Sequence, residues 1–95
     1  MAGYIIVDVQ IIDPEAYERY KAAVPATLAA YGGKFLVRGG RVEILEGNWE
    51  PNRLVVLEFE SVERAKAWWK SQEYAAPKQL RQSASVTNMV VVEGI

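Results

Sequence analysis

The chain of 95 residues contains no histidine and no cysteine. Without histidine it lacks the usual general base, the usual metal ligand and every Ser-His or Cys-His arrangement. Without cysteine it has no disulfide, no zinc-thiolate site and no thiolate nucleophile, and a cytoplasmic location is the simplest reading. Catalysis would have to draw on carboxylates, tyrosines, lysines, arginines or a bound cofactor. An excess of charge is missing too: 11 basic and 12 acidic side chains leave a net charge of −1. Nucleic-acid binders carry a basic excess or stripe, so no nucleic-acid partner is expected. The apolar runs fall well short of the ~20 residues that span a bilayer. The start, MAGYIIVDVQ, lacks the basic and long apolar regions of a signal peptide. No membrane partner is expected. No GxGxxG or Walker pattern occurs, and turn chemistry accounts for the glycines. The spacing of Asp8, Glu43 and Glu58 supports no metal site.

What is present suits one small domain spanning residues 1–95. Apolar residues make up 51% of it, ample for a globular core. A domain this short buries only about 60–65% of the surface its unfolded chain exposes, and a partner subunit often supplies missing burial.

The pattern reads strand, helix, hairpin, strand, helix, strand. YIIVDVQI (Tyr4–Ile11) is β-branched and alternating, with Ile5, Val7, Val9 and Ile11 on one face and Tyr4, Ile6, Asp8 and Gln10 on the other. Asp13-Pro14-Glu15 is a helix start. Tyr17, Tyr20, Val24, Leu28 and Tyr31 follow at helical spacing. Pro25 predicts a kink or split, because it removes the bond to the Lys21 carbonyl. Gly32 and Gly33 end the helix. KFLVR and RVEIL flank Gly39-Gly40, which predicts a two-residue hairpin with Phe35 opposite Ile44 and Val37 opposite Val42, or equally a bulged, imperfect one. Arg38 opposite Arg41 is unfavourable in that register. After a loop carrying Trp49 come a strand (Arg53–Glu60), a helix capped by Ser61 and ending near Lys70, a second helical piece from Ser71 disturbed by Pro77, and a last strand (Val86–Gly94). Trp68 and Trp69 lie about 100° apart on the helix, so at most one points fully inward.

Each strand then has one apolar face and one mixed face. Two helical regions can cover only the first. The second is too apolar for water yet carries Asp8, Arg38 and Glu58, which a dry core rejects. A second copy closing sheet against sheet resolves this. It would group Asp8, Arg38 and Glu58 inside, either as a structural ion-pair set or as a small-molecule pocket with a few convergent polar groups.

The run GGKFLVRGG, followed by EILEGNW, VVLEF, a helix ending WWKSQEY, then LR and VVVEG, resembles the family known as domain of unknown function 1330 over nearly the whole chain. The resemblance implies an α+β, ferredoxin-like βαββαβ subunit with an extra hairpin, its antiparallel sheet packed by helices on one face, in the dimeric α/β-barrel superfamily. That superfamily includes cofactor-free monooxygenases, muconolactone isomerases, haem-dependent chlorite-degrading enzymes and ligand-sensing domains, and fold does not choose among them. Matched positions make Arg38, Trp49, Glu58, Tyr74 and Arg81 candidates for lining or closing a pocket. The lack of histidine argues against haem held by a histidine ligand.

Two functions remain open. One is a homodimeric enzyme without metal or cofactor, of the isomerase or cofactor-independent monooxygenase type. In it Arg38 would hold an anionic or carbonyl oxygen, and Glu58 or Asp8 would be the catalytic base, its pKa raised by burial. The other is a non-catalytic ligand-binding or structural homodimer. In both, the ligand would be a small organic anion or aromatic compound, bound by Arg38, Trp49, Tyr74 and Arg81.

Overall fold

Alternation in the first strand sets the architecture. In β1 (Gly3–Ile11) the side chains of Ile5, Val7 and Val9 are buried while their neighbours are not. The computed structural model describes all residues from Met1 to Ile95. After β1 come α1 (Pro14–Ala30), β2 (Lys34–Arg38), β3 (Arg53–Phe59), α2 (Val62–Lys70), α3 (Gln72–Ala84) and β4 (Ser85–Glu93). The strands form one four-stranded sheet in the order β2-β3-β1-β4, antiparallel throughout. This α+β arrangement is the expected ferredoxin-like one. No helix is long and apolar enough to cross a membrane.

All three helices lie over the face that carries Ile5, Val7, Val9, Val55, Leu57 and Phe59, and these residues form the core with the helical stripe Tyr17, Tyr20, Val24 and Leu28. Asp13 caps α1, accepting from the Ala16 amide at 3.2 Å. Ser61 caps α2, accepting from the Arg64 amide at 3.1 Å, and Ser71 caps α3 in the same way through Tyr74. Of the adjacent tryptophans, Trp68 is 1% exposed and Trp69 39%, as helical geometry requires. Trp68 stacks on Tyr74 with centroids 3.9 Å apart and tilts against Phe59 at 5.6 Å. Its indole N–H donates to Thr27 Oγ1 at 3.0 Å, so the polar handle of a buried indole is satisfied. The two glycines after α1 have different tasks. Gly32 has φ +70°, the left-handed cap, whereas a side chain at Gly33 would meet the Phe59 ring at 2.5 Å.

Three expectations are corrected. The hairpin does not form. Residues 40–52 belong to no strand, and β2 pairs directly with β3, placing Phe35 opposite Leu57 and Val37 opposite Val56. In this way β2 joins the apolar strand RLVVLEF and avoids setting Arg38 against Arg41. The register also shifts between Phe35 and Val37. That bulge reverses the alternation beyond it, since an extra residue turns every later side chain to the other face. Arg38 is therefore opposite the helix-side residue Val55. Lastly, of the kink or split expected at Pro25 the split does not occur, and α3 likewise runs unbroken through Pro77.

Pro25 and Arg38 are linked. Proline at 25 deprives the Lys21 carbonyl of its helical donor, and Arg38 Nη2 donates to that carbonyl at 2.9 Å. The bulge thus delivers a guanidinium to the acceptor that proline has freed, and the Phe35 ring supports it from 4.2 Å. Arg38→Met is expected to lower stability by roughly 0.5–1.5 kcal/mol, the net value of one hydrogen bond. In a Pro25→Ala background, where the helix supplies its own donor, the same change should cost less. A double-mutant cycle by urea unfolding measures this coupling, and strict additivity would show that the proline and the arginine are independent.

Candidate functional site

The six residues singled out from the sequence fall into four places. Glu58 sits opposite Tyr4 on the sheet face that no helix covers, and Lys34 Nζ lies 3.1 Å from its carboxylate. The hydrogen bond from Lys34, then one from Tyr4, holds its pKa below the ordinary carboxylate value. That is opposite to the rise expected of a buried base. Asp8 lies on the same open face, opposite Leu54 and Asn88. Its two oxygens accept from Trp49 Nε1 at 3.0 Å and from the Asn52 amide at 2.9 Å. Asp8 and Trp49 thus fasten the long β2–β3 connection to the sheet. Arg38 is on the helix side, engaged with α1. The grouping of Asp8, Arg38 and Glu58 does not occur, because the bulge in β2 separates the arginine from the two acids.

Tyr74 and Arg81 do come together. They lie seven residues apart on α3, two turns of one helix face, and both are turned into the core. Tyr74 is 0% exposed and Arg81 5%. Arg81 Nε donates to the Tyr74 hydroxyl at 3.3 Å. That hydroxyl shares a 2.7 Å hydrogen bond with Tyr20 of α1. Tyr17 continues the cluster: its ring lies 5.3 Å from that of Tyr20, and its hydroxyl accepts from Arg53 Nη1 at 3.0 Å.

Arg81 has no counter-ion. The ion pairs of the chain are Lys21–Glu18, Lys34–Glu58 and Arg41–Glu43, so no carboxylate lies within 4.0 Å of its guanidinium. Its two Nη groups make no hydrogen bond within the chain, while no fully buried side-chain polar atom lacks a partner. The Nη groups must therefore hold the residue's remaining exposure and face open space. Arg81 lines a cleft of about 580 Å³ between α2, α3 and β4, together with Lys66, Trp69, Lys70, Ser85 and Thr87 among others. A second, much smaller cavity of about 30 Å³ lies between α1 and the sheet and also touches Arg81. The first has the size of a small-molecule site, and the second has room for little more than water.

Chemically, the cleft offers a preorganised, desolvated cation and no base. Burial, followed by the charge of a neighbouring Tyr74 phenolate and the hydrogen bond to Tyr74, pushes the Tyr20 phenol far above its ordinary value. Tyr20 thus stays neutral. Lys66, Trp69 and Lys70 were not singled out as ligand groups, although their i, i+3, i+4 spacing on α2 was a readable signal that they share a face. No group of three His, Cys, Asp or Glu side chains is arranged to hold a metal ion.

The raised pKa of Tyr20 gives a signed prediction. An unfolded chain ionises this phenol near 10.0, whereas the folded chain does not. Its contribution to stability is complete below that pH and declines as pH rises above it. Tyr20→Phe should therefore flatten the alkaline limb of the stability profile, measured by urea unfolding at stepped pH. An unchanged limb would mean that the phenol is not held neutral by the fold.

The fold recurs in solved structures. A protein of unknown function from Rhodopseudomonas palustris superposes with a TM-score of 0.77 at 18% identity, over 99% of this chain and 82% of that one. SnoaB, a cofactor-independent oxygenase from Streptomyces nogalater, gives 0.68 at 11% identity, over 99% of this chain and 93% of that one. A dimeric ferredoxin-like protein of unknown function from Jannaschia sp. CCS1 gives 0.67 at 14% identity, over 99% of this chain and all of that one. No curated protein matches the chain. Residues 2–95 match the family model described as Domain of unknown function (DUF1330), and the chain belongs to that family.

Proposed function

We propose that the protein is a homodimer that binds a small organic anion in the cleft of each subunit, with Arg81 as the anchor. The observation that carries this reading is a guanidinium nineteen-twentieths buried, with no carboxylate partner and with free donors on a ligand-sized space. Leaving such donors unpaired costs free energy, and an oxyanion supplies what is missing. Tyr74 positions the guanidinium through Nε, leaving the Nη groups for the ligand.

The dimer rests on the uncovered sheet face. Val37, Val56, Ile6 and Val90 stand in register across all four strands, forming an apolar row, and three of them are strongly exposed. A second copy packed face to face would bury this row. Because the cleft lies mainly on the helix side, it would remain open in such a dimer. The Jannaschia neighbour, itself described as dimeric and ferredoxin-like, supports this.

The oxygenase neighbour favours a second reading, a metal-free enzyme of the isomerase or cofactor-independent monooxygenase type. The anion held by Arg81 would then be the enolate or phenolate of a substrate acidic enough to ionise without a strong protein base. Glu58 and Asp8, on the opposite face of the sheet, would not be its catalytic base. Turnover of enolisable or phenolic compounds, followed by oxygen uptake and product analysis, separates the two readings. Glu58→Gln is expected to leave any such turnover unchanged.

Arg81→Gln should weaken benzoate binding by about tenfold or more, the value of one charged hydrogen bond, as measured by calorimetry. Circular dichroism reports whether the variant folds, and Arg81→Lys is the fallback, because a lysine keeps the charge but loses the fork. Benzoate affinity unchanged in a folded variant would sink the anchor. Separately, Ile6→Lys should convert the dimer to a monomer in sedimentation velocity at micromolar concentration while leaving the helical spectrum intact. A parent protein that sediments as a monomer would refute the sheet-to-sheet dimer.

A further inference from the structure

Building on the anion-site reading, we infer that the cleft is made for a flat ring bearing two separated acidic groups, rather than for a monoanion. The charge of its walls argues for this. The chain as a whole carries −1, yet its twelve cleft-lining residues include Lys66, Lys70 and Arg81 and not one carboxylate. Lys66 and Lys70 have no carboxylate within 4.0 Å. A cleft that gathers three cations in an acidic protein attracts more than a single negative charge.

The cations sit at different depths. Arg81 is buried at the floor, while Lys66 and Lys70 are exposed on α2. They are one helical turn apart and so share a face. One acidic group on Arg81 and another at the lysines requires a ligand whose charges lie at opposite ends of a rigid body. Trp69 lines the same cleft. Lys78 fixes this indole, with Nζ 3.8 Å from the ring centroid and 2.9 Å from the Trp69 carbonyl oxygen. The ring is therefore held in place as a wall before any ligand arrives, and it offers its remaining surface to an aromatic plane. Ser85 and Thr87, joined by a 2.8 Å hydroxyl pair, supply neutral hydrogen-bonding groups on the β4 side.

The test compares terephthalate with benzoate by calorimetry, in the parent chain and in a Lys66→Gln/Lys70→Gln double variant. Both substitutions lie on exposed helix positions and should leave the fold intact. Terephthalate is expected to bind the parent at least about fivefold more tightly, the scale of one or two exposed ion pairs. The preference should shrink with added salt and vanish in the double variant. Equal binding of the two acids by the parent, or a preference that survives in the double variant, would overturn the two-charge inference while leaving Arg81 as an anion anchor. Failure of both acids to bind the parent would overturn the anchor as well. Quenching of Trp69 fluorescence by terephthalate, lost in Trp69→Leu, is the expected sign that the ring lies against the indole. Binding without any change in emission would refute that placement.

Discussion

A guanidinium held under two helices without a counter-charge is the constraint around which the candidate site is organised. Removing an ion from water costs several kcal/mol unless its hydrogen bonds are replaced. Arg81 recovers one of them from the Tyr74 hydroxyl and keeps its other donors on the cleft. The Tyr74 hydroxyl is fixed in turn by Tyr20, and the Tyr74 ring by its stack on Trp68. The aromatic core thus does more than fill volume. It sets the position and the hydrogen-bonding partner of a charge that would otherwise be unstable there.

The second arginine of interest follows the same logic with a different outcome. Arg38 meets a backbone acceptor, the Lys21 carbonyl that Pro25 frees, and is exposed to water beyond that contact. Both arginines are donors in search of oxygen. Arg38 finds a backbone carbonyl on α1, whereas Arg81 finds only the Tyr74 hydroxyl, through Nε. This contrast makes Arg81 the better candidate for a ligand contact, although both lay within the matched motifs.

The two faces of the sheet divide the remaining work. The helix side holds the core, the cleft and the tyrosine cluster. The open side holds an apolar row that suits a second copy, flanked by acids already engaged: Glu58 by Lys34, and Asp8 by Trp49 and the Asn52 amide. Asp8 in particular pins a connection that has no secondary structure of its own. Such lengths of irregular chain are uncommon in small domains and need anchoring.

Much of this was legible in the residues alone. The buried faces of β1 and β3, the α1 stripe, the capping residues Asp13 and Ser61, and the restriction that at most one of Trp68 and Trp69 turns fully inward all follow from period and local chemistry. Those signals act over a few residues, where backbone geometry leaves little choice. Pairing partners and register do not, since they depend on which distant strand offers the better apolar match. The glycine pair at 39–40 looked like a hairpin, but β2 found a better partner in β3. A single bulge at Leu36 then moved Arg38 to the other side of the sheet, and no local pattern announces such a shift. Sequence alone determined the helices, the strands other than the expected RVEIL hairpin arm, the buried sides of β1 and β3, and the absence of histidine and cysteine chemistry. Only the tertiary structure decided that Arg81 is buried without a carboxylate partner, because that depends on where every carboxylate of the folded chain comes to rest.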